Sequence, residues 1–171
     1  MRTTLTRLII IVFLSSCDGT SSGLKDTPSD DPVIIRIDGG RVFSPNHGRS
    51  KMQTLSGDQF LMLELREVNG CEVSNSTDTE QVGATIHIPY EHAVVGTIDI
   101  EDTESSVSVG LVEYDEDGVL VSQKAWRIDH GSLEIQEITE QMIRGKIFVY
   151  GSGKTSEVLI NGRFEAVNCD E

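Results

Sequence analysis

The chain has 171 residues, of which 28 are acidic and 14 basic, and a formal net charge of −14. This length suits a single domain once a leader and a linker are set aside, because about 140 residues can bury a core without metals or many disulfides. Strong acidity repels nucleic acid and anionic membrane surfaces, so we predict no nucleic-acid partner. We interpret the acidity as a means of solubility, with attraction to cations or a basic partner as the alternative.

The first 16 residues have the pattern of a secretory signal peptide. Arg2 and Arg7 form a cationic start, residues 8–14 are an unbroken apolar run, and Ser15 and Ser16 precede Cys17. These three features together define a secretory signal, and the apolar run is far shorter than the ~20 residues of a membrane-spanning helix. Removal of a signal peptide over residues 1–16 would leave 12 basic and 28 acidic residues, a charge of −16.

The residues at the cleavage point carry a resemblance. Leu14-Ser15-Ser16-Cys17 resembles the lipobox of bacterial lipoproteins. The resemblance implies that a diacylglyceryl group is attached to the sulfur of Cys17, and that the lipoprotein signal peptidase recognises Leu14, Ser15 and Ser16 and cuts before Cys17. It also implies acylation of the new amino group, for example with palmitate. Two or three acyl chains anchor a protein stably, so the expected partner is a membrane of the cell envelope.

Asp18 follows the lipobox cysteine directly. Aspartate at this place resembles the signal that retains lipoproteins in the inner membrane of enteric bacteria. Because this rule differs between bacterial groups, inner and outer membrane both stay open. The residues that follow, up to 31, are mostly Gly, Ser, Thr, Asp and Pro, which cannot bury enough surface to fold. We therefore predict a lipidated flexible linker over residues 17–31 and one β domain over residues 32–171.

The rest of the sequence alternates short β-prone runs with Gly, Asp and Asn. Strand candidates recur at a spacing of about ten residues, which is typical of an antiparallel β-sandwich or a lipocalin-like barrel of about 8–10 strands. Residues 58–68 also fit helical spacing, with strand favoured. The predicted strands are residues 33–37, 59–68, 84–88, 94–100, 106–114, 119–128, 131–138, 142–150 and 157–167.

Three of the last strands share a pattern built on glycine. It consists of Gly131-Ser132-Leu133, then Gly145-Lys146-Ile147-Phe148, then Gly162-Arg163-Phe164. The pattern resembles a theme of small β-rich bacterial lipoproteins of unknown function. The resemblance implies consecutive antiparallel strands of a sandwich or barrel and carries no activity with it.

Two cysteines remain once Cys17 is assigned to lipid. Cys71 and Cys169 form an even pair in an oxidising compartment, which favours a disulfide over two free thiols. Such a bond would close a loop of about a hundred residues and add up to ~4–5 kcal/mol of stability in the chain-entropy model. We interpret it as a structural bond rather than a reactive site.

Two acidic clusters could in principle hold a cation. Glu113, Asp115, Asp117 and Gly118 match the opening of a calcium loop, but Lys124 stands at the twelfth position, where the metal needs a bidentate Glu. An acidic hairpin turn is the better prediction. The second cluster, for which weak cation binding is the alternative to a solvated loop, consists of Glu101, Asp102 and Glu104.

Other candidate sites have the wrong spacing. His87, Glu91 and His92 lie on both sides of Pro89, which is a poor arrangement for a local metal site. Residues 151–155 lack the first glycine of a phosphate loop, and no Gly-x-Ser-x-Gly motif is present in residues 32–171, the predicted β domain. The few aromatic residues are expected in the core, namely Phe43, Phe60, Trp126, Phe148 and Phe164.

With no catalytic motif in the predicted β domain, we predict a non-enzymatic, lipid-anchored envelope protein that needs no cofactor. Its β domain would bind an envelope protein or support an assembly. The alternative is a lipocalin-like carrier of a small apolar ligand, which requires a cavity of several hundred Å³ within the barrel.

Overall fold

The chain is all-β, as predicted. A computed structural model describes residues 28–38, 40–45, 47–66, 71, 80–152 and 157–169. One 3-10 helix, Tyr90–His92, interrupts the strands. The strands are β1 (Ile34–Ile37), β2 (Arg41–Phe43), β3 (His47–Leu55), β4 (Asp58–Arg66), β5 (Glu80–Pro89), β6 (Gly96–Asp99), β7 (Ser106–Tyr114), β8 (Leu120–Ile128), β9 (His130–Ile138), β10 (Met142–Ser152) and β11 (Glu157–Asn168).

The eleven strands within the described residues belong to one sheet, a slightly larger number than the sequence predicts. The order along the sheet is β6-β9-β10-β11-β3-β4-β5-β7-β8, and β1 pairs with β11 and with β2. Strand β11 pairs in parallel with β3, through Ala166 opposite Gly48, and every other pair of strands is antiparallel. Because β1 uses the first part of the β11 edge and β3 the last part, the sheet can fold over on itself at β11.

The two halves of the folded sheet share one aliphatic core. Ile160 of β11 and Ile147 of β10 come from one half, and Leu63 of β4 and Ile86 of β5 come from the other; all four are fully buried in the same cluster. Alternate residues of each strand point inward, as the period of two in their burial shows. Burial of about 25 cal/mol per Å² of apolar surface makes this cluster the main source of stability.

Strand β3 was not expected from the sequence. Its inward positions next to β11 are Gly48 and Ser50, which are both buried but are not apolar. An added Cβ on Gly48 would lie 2.7 Å from the carbonyl oxygen of Glu165, so the close approach of β11 requires a small residue there. The alternation of apolar residues that identifies a strand is therefore missing in the part of β3 that pairs with β11, where the two halves of the sheet join.

Both other expectations about individual elements are confirmed. Residues 58–66 form strand β4 and not a helix. Asp115 begins the β7–β8 turn, where its Oδ1 accepts hydrogen bonds from the amides of Asp117 (3.0 Å) and Val119 (2.8 Å). Gly118 adopts a φ of 75°, which the turn needs and which glycine adopts without cost. The Asp115 carboxylate thus stabilises its own hairpin.

The glycines of the C-terminal pattern have a structural reason. A Cβ on Gly145 would lie 2.2 Å from the carbonyl oxygen of Glu134, and one on Gly131 would lie 2.2 Å from that of Phe148. Gly162 has a φ of 135° and lies beneath Val33, whose Cα would be 2.5 Å from an added Cβ. Each glycine lets two backbones approach more closely than any other residue would allow.

The residues just before β1 lie along β11. The amide of Ser29 donates to Asn161 Oδ1 at 2.9 Å, the amide of Arg163 donates to the carbonyl of Asp31 at 2.7 Å, and Asp30 pairs with Lys146 at 2.6 Å. The end of the predicted linker that the structure describes therefore contacts the domain. Residues 1–27, which include the predicted signal peptide and Cys17, lie outside the described residues.

The predicted disulfide between Cys71 and Cys169 is present, with their Cα atoms 5.5 Å apart. It joins the chain beyond β4 to the end of β11. The Cys169 amide donates to the carbonyl of Ser50 at 2.7 Å, and Arg49 donates to the carbonyl of Cys71 at 3.4 Å. The bond therefore reinforces the short parallel junction of β11 with β3.

Candidate functional site

The larger of two described openings in the surface is a cleft with a volume of about 730 Å³. Three segments that are distant in sequence line it: residues 57–60, 89–92 and 102–104. We call this opening the end cleft. Its volume is within the ~300–1,000 Å³ that is usual for small-molecule sites.

The first wall is the tight turn between β3 and β4. Its two central residues, Ser56 and Gly57, have φ values of 53° and 100°, and positive φ at both places is what a two-residue type I′ hairpin turn requires. The turn places Asp58 at the start of β4 on the rim of the end cleft. Phe60 follows two residues later and turns its half-buried ring toward the opening.

The second wall begins where β5 ends. Pro89 follows a buried strand, and residues 90–92 form a single 3-10 turn that the amide of Ala93 closes on the carbonyl of Tyr90 at 3.1 Å. No side chain of this turn is buried, and Tyr90 is 59% exposed. The turn thus presents an aromatic ring and the Glu91 carboxylate at the cleft instead of burying them.

The third wall is the loop between β6 and β7. The hydroxyl of Thr103 donates to the carbonyl of Asp99 at 2.6 Å and lies 2.7 Å from the hydroxyl of the buried Ser105. Glu104, between them, has a φ of 55°. A left-handed conformation at a glutamate costs of order 1 kcal/mol.

The charges around the end cleft have one sign. Four of its lining residues carry carboxylates, and neither lysine nor arginine is among the described lining residues. The other ionisable groups among the described lining residues are the phenol of Tyr90 and the imidazole of His92. A concave surface lined by charges of one sign concentrates counter-ions. The four acidic residues are Asp58, Glu91, Asp102 and Glu104.

Two clusters that the sequence singled out separately therefore meet here. Asp102 and Glu104 come from the acidic cluster, and Glu91 and His92 come from the histidine cluster. Phe60 was expected in the core but lines the end cleft instead, because it is at the exposed end of β4. The other aromatic residues of that prediction are buried or pack against the core: Phe148 and Phe164 are buried, and Phe43 and Trp126 are partly buried and pack against the core cluster.

The remaining members of both clusters lie elsewhere. Glu101 accepts from His130 at 2.6 Å, and Tyr150 stacks on that imidazole with ring centroids 5.5 Å apart. His87 is half-buried on β5 and meets Phe60 edge-on, with ring centroids 6.4 Å apart. Among the described residues, no group of three or more His, Cys, Asp or Glu side chains is placed to hold a metal ion.

The structure predicts that two histidines titrate on opposite sides of the usual value. Burial lowers the pKa of His87, with partial opposition from Glu64, whereas the hydrogen bond that His130 donates to Glu101 and the nearby Asp129 raise the pKa of His130. The stabilisation from neutral His87 is present above the ordinary histidine pKa of about 6.5 and is lost as pH falls through its folded pKa. The stabilisation from charged His130 is present below a pH of about 6.5 and is lost as the pH rises through the pKa of His130 in the folded protein.

An NMR titration of the imidazole protons checks this prediction directly. His87→Gln should remove the resonance with the lower pKa, and Glu101→Gln should return the pKa of His130 toward the ordinary value. Overlapping titrations of the two rings in the unmodified protein would show that the described contacts are absent in solution.

The second described opening has a volume of about 220 Å³ and lies between the segment before β1, the residues Ser44, Pro45 and Gly48, and the last strand. It reaches Leu65 and Phe164 of the core and is open to solvent. Both described openings are at the surface, so the carrier alternative stays a prediction from sequence. Within the described part of the chain, no helix has the length and hydropathy to span a bilayer.

No family model, curated protein or solved structure matches this chain. The end cleft is therefore interpreted from its own residues.

Proposed function

We propose that this chain is a lipid-anchored protein of the cell envelope whose β domain is a non-catalytic binding module. In this proposal the end cleft binds a cationic group that is attached to an apolar body. The observation that carries the proposal is the set of four carboxylates around a cleft of about 730 Å³ without lysine or arginine among its described lining residues.

The lining suits such a ligand in two ways. The carboxylates attract an ammonium or guanidinium group from solution, and several of them together hold it better than one exposed pair would. The exposed ring of Tyr90 and the half-buried ring of Phe60 offer apolar area and an electron-rich face to the cation. The left-handed Glu104 supports the proposal because its strain is retained at the cleft rim.

Fluorescence titration of the mature lipoprotein in detergent tests the proposal, with dansylcadaverine as the probe. This probe joins a primary ammonium to an aromatic group, and its N-acetylated form is the neutral control. We expect Glu91→Gln/Glu104→Gln to weaken binding about 5- to 30-fold, since each exposed charge pair contributes roughly 0.5–1 kcal/mol. Binding should also weaken as salt is raised.

The β7–β8 turn offers a matched control. Glu116→Gln/Asp117→Asn also removes two negative charges, but from another exposed acidic segment, and it should leave the affinity for the probe unchanged. Equal weakening by both double variants would show that only the total charge matters. Equal binding of the neutral probe would show that the carboxylates do not select a cation.

The anchoring part of the proposal rests on the lipobox and is tested separately. Cells that express the full chain and grow with azide-labelled palmitate should incorporate label into this protein. Cys17→Ser should abolish both the label and the membrane association, because a single acyl group or none holds a protein only marginally. Label on the Cys17→Ser variant, or none on the unmodified protein, would contradict lipidation at Cys17.

A further inference from the structure

The second wall of the end cleft continues into an exposed apolar segment. Val94 and Val95 follow the 3-10 turn and are 58% and 62% exposed. The amide of Val94 donates to the carbonyl of His92 at 2.9 Å, so the valines start beside a residue that lines the cleft. Single exposed apolar residues are normal on a protein surface, whereas exposed apolar area beside a cleft is typical of an interaction site.

Strand β6 follows Val95 directly and has an open edge. It pairs with β9 on one side, and no described strand pairs with its other side. The amide of Ile100 donates to the carbonyl of Gly131 at 3.0 Å, so the alternate residues Ile98 and Ile100 form the hydrogen bonds to β9. The backbone amide and carbonyl of the exposed Thr97 therefore point to the open edge, where an extended segment of another chain can pair with them.

Strand β6 also connects two walls of the end cleft. Residues 89–92 precede it and residues 102–104 follow it, and both segments line the cleft. A segment paired with β6 would therefore have one end beside the two valines and the other beside the carboxylates of the β6–β7 loop. Because the four residues of β6 span only about 10 Å, such a segment carries its apolar and basic side chains a few residues apart.

We propose that the ligand of the end cleft is an extended polypeptide segment that adds to the open edge of β6. Its aliphatic side chains contact Val94 and Val95, and its lysine or arginine side chains contact the carboxylates of the cleft. In this mode of binding, main-chain hydrogen bonds supply affinity and side chains supply specificity. The inference rests on the proposed function, because it names the class of ligand that the same cleft binds.

Two other classes of ligand suit this surface less well. A small amine would fill the cleft but leave the valines and the edge of β6 uncovered. A bilayer surface would bring anionic lipid headgroups to four carboxylates, which repel them. A polypeptide segment alone uses the charge, the apolar residues and the open edge together.

Fluorescence anisotropy with labelled synthetic peptides tests the inference on the same detergent-solubilised protein. The peptides are acetyl-Val-Thr-Val-Ser-Lys-Lys-amide and the reverse sequence, because parallel and antiparallel addition place the lysines at opposite ends. We expect one of them to bind at least about 10-fold more tightly than dansylcadaverine. Methylation of one set of its alternate backbone amides should weaken binding about 10-fold, because these amides donate to β6, and methylation of the other set should not.

Substitution of the valines tests the apolar contact. Val94→Ser/Val95→Ser should weaken peptide binding about 5- to 30-fold and leave dansylcadaverine binding unchanged, since both valines are outside the described lining of the cleft. Val119→Ser/Val121→Ser is the matched control, because these valines are 59% and 65% exposed but belong to the β7–β8 hairpin, and it should change neither affinity. Circular dichroism shows whether each variant has folded.

The outcomes separate this inference from the proposed function. Binding of dansylcadaverine without tighter binding of either peptide overturns the inference alone, whereas no binding of either kind of probe overturns both. Equal weakening by the two valine pairs, or equal binding of the two methylated peptides, overturns the addition to β6. The methylated peptides test that edge without any change to the protein, so the test does not depend on the folding of a variant.

Discussion

Gly145→Ala is expected to lower the free energy of unfolding by about 3 kcal/mol or more, the upper range for overpacking. An added methyl group would lie 2.2 Å from the carbonyl oxygen of Glu134 and 2.9 Å from the ring of Phe164. The carbonyl belongs to the backbone of the neighbouring strand β9, so it cannot move without disrupting the pairing at the register shift beside Gly145. Urea denaturation followed by circular dichroism measures the effect.

Gly110→Ala is the matched control, because Gly110 is also within a strand but has no atom within 4 Å of an added Cβ. Alanine there should leave the stability unchanged or raise it slightly, since glycine weakens a strand interior. Equal effects of the two substitutions would show that the close approach of β9 and β10 at Gly145 does not exist.

Removal of the disulfide should have the second large effect. Cys71→Ser/Cys169→Ser is expected to lower the free energy of unfolding by about 2–5 kcal/mol, because the bond closes a long loop and restricts the unfolded chain. The two residues are 98 positions apart, and the bond supports the parallel junction of β3 and β11, which consists of only three residue pairs. The urea midpoint of the oxidised protein provides the comparison.

The unmodified protein treated with a reducing agent should resemble the double serine variant, which separates the loss of the bond from the loss of the sulfur atoms. A midpoint that neither treatment changes would show that the disulfide does not stabilise the junction of β3 and β11.

Sequence pattern predicts most strands of this fold because their inward residues are aliphatic. Strand β5, with Val82, Ala84, Ile86 and Ile88 inward, is an example. Strand β3 is missed because its buried positions near β11 are glycine and serine, which the junction requires. The glycines at 131, 145 and 162 are visible in the sequence as a pattern, but their reason is the approach of a neighbouring backbone, which only the three-dimensional structure shows.

The alternation of apolar and polar residues also fails to predict a buried charge. Glu64 is between apolar residues of β4 but points to the opposite face, where it is buried and pairs with Arg49 and with Arg66, the latter at 2.8 Å. Alternation alone places Glu64 on the outer face and predicts that it is exposed. Its two cationic partners, from β3 and β4, explain why its burial is tolerated.

The candidate site is predicted only in pieces. The acidic residues at 101–104 and the pair Glu91 and His92 are recognised as candidates because they lie close together in the sequence. No sequence spacing connects them with Asp58 or Phe60. The fold brings them together because the β3–β4 turn, the end of β5 and the β6–β7 loop share one end of the sheet. Sites assembled from the ends of several strands leave no local signature in a sequence.

The most direct test of the central claim is chemical-shift mapping of dansylcadaverine on the isotopically labelled protein. If the end cleft is the binding site, the largest changes in amide shift will fall within residues 57–60, 89–92 and 102–104, and at a fixed probe concentration they will be smaller in the Glu91→Gln/Glu104→Gln variant. Changes centred on the acidic turn at residues 115–117, or spread evenly over the acidic surface, would contradict the account.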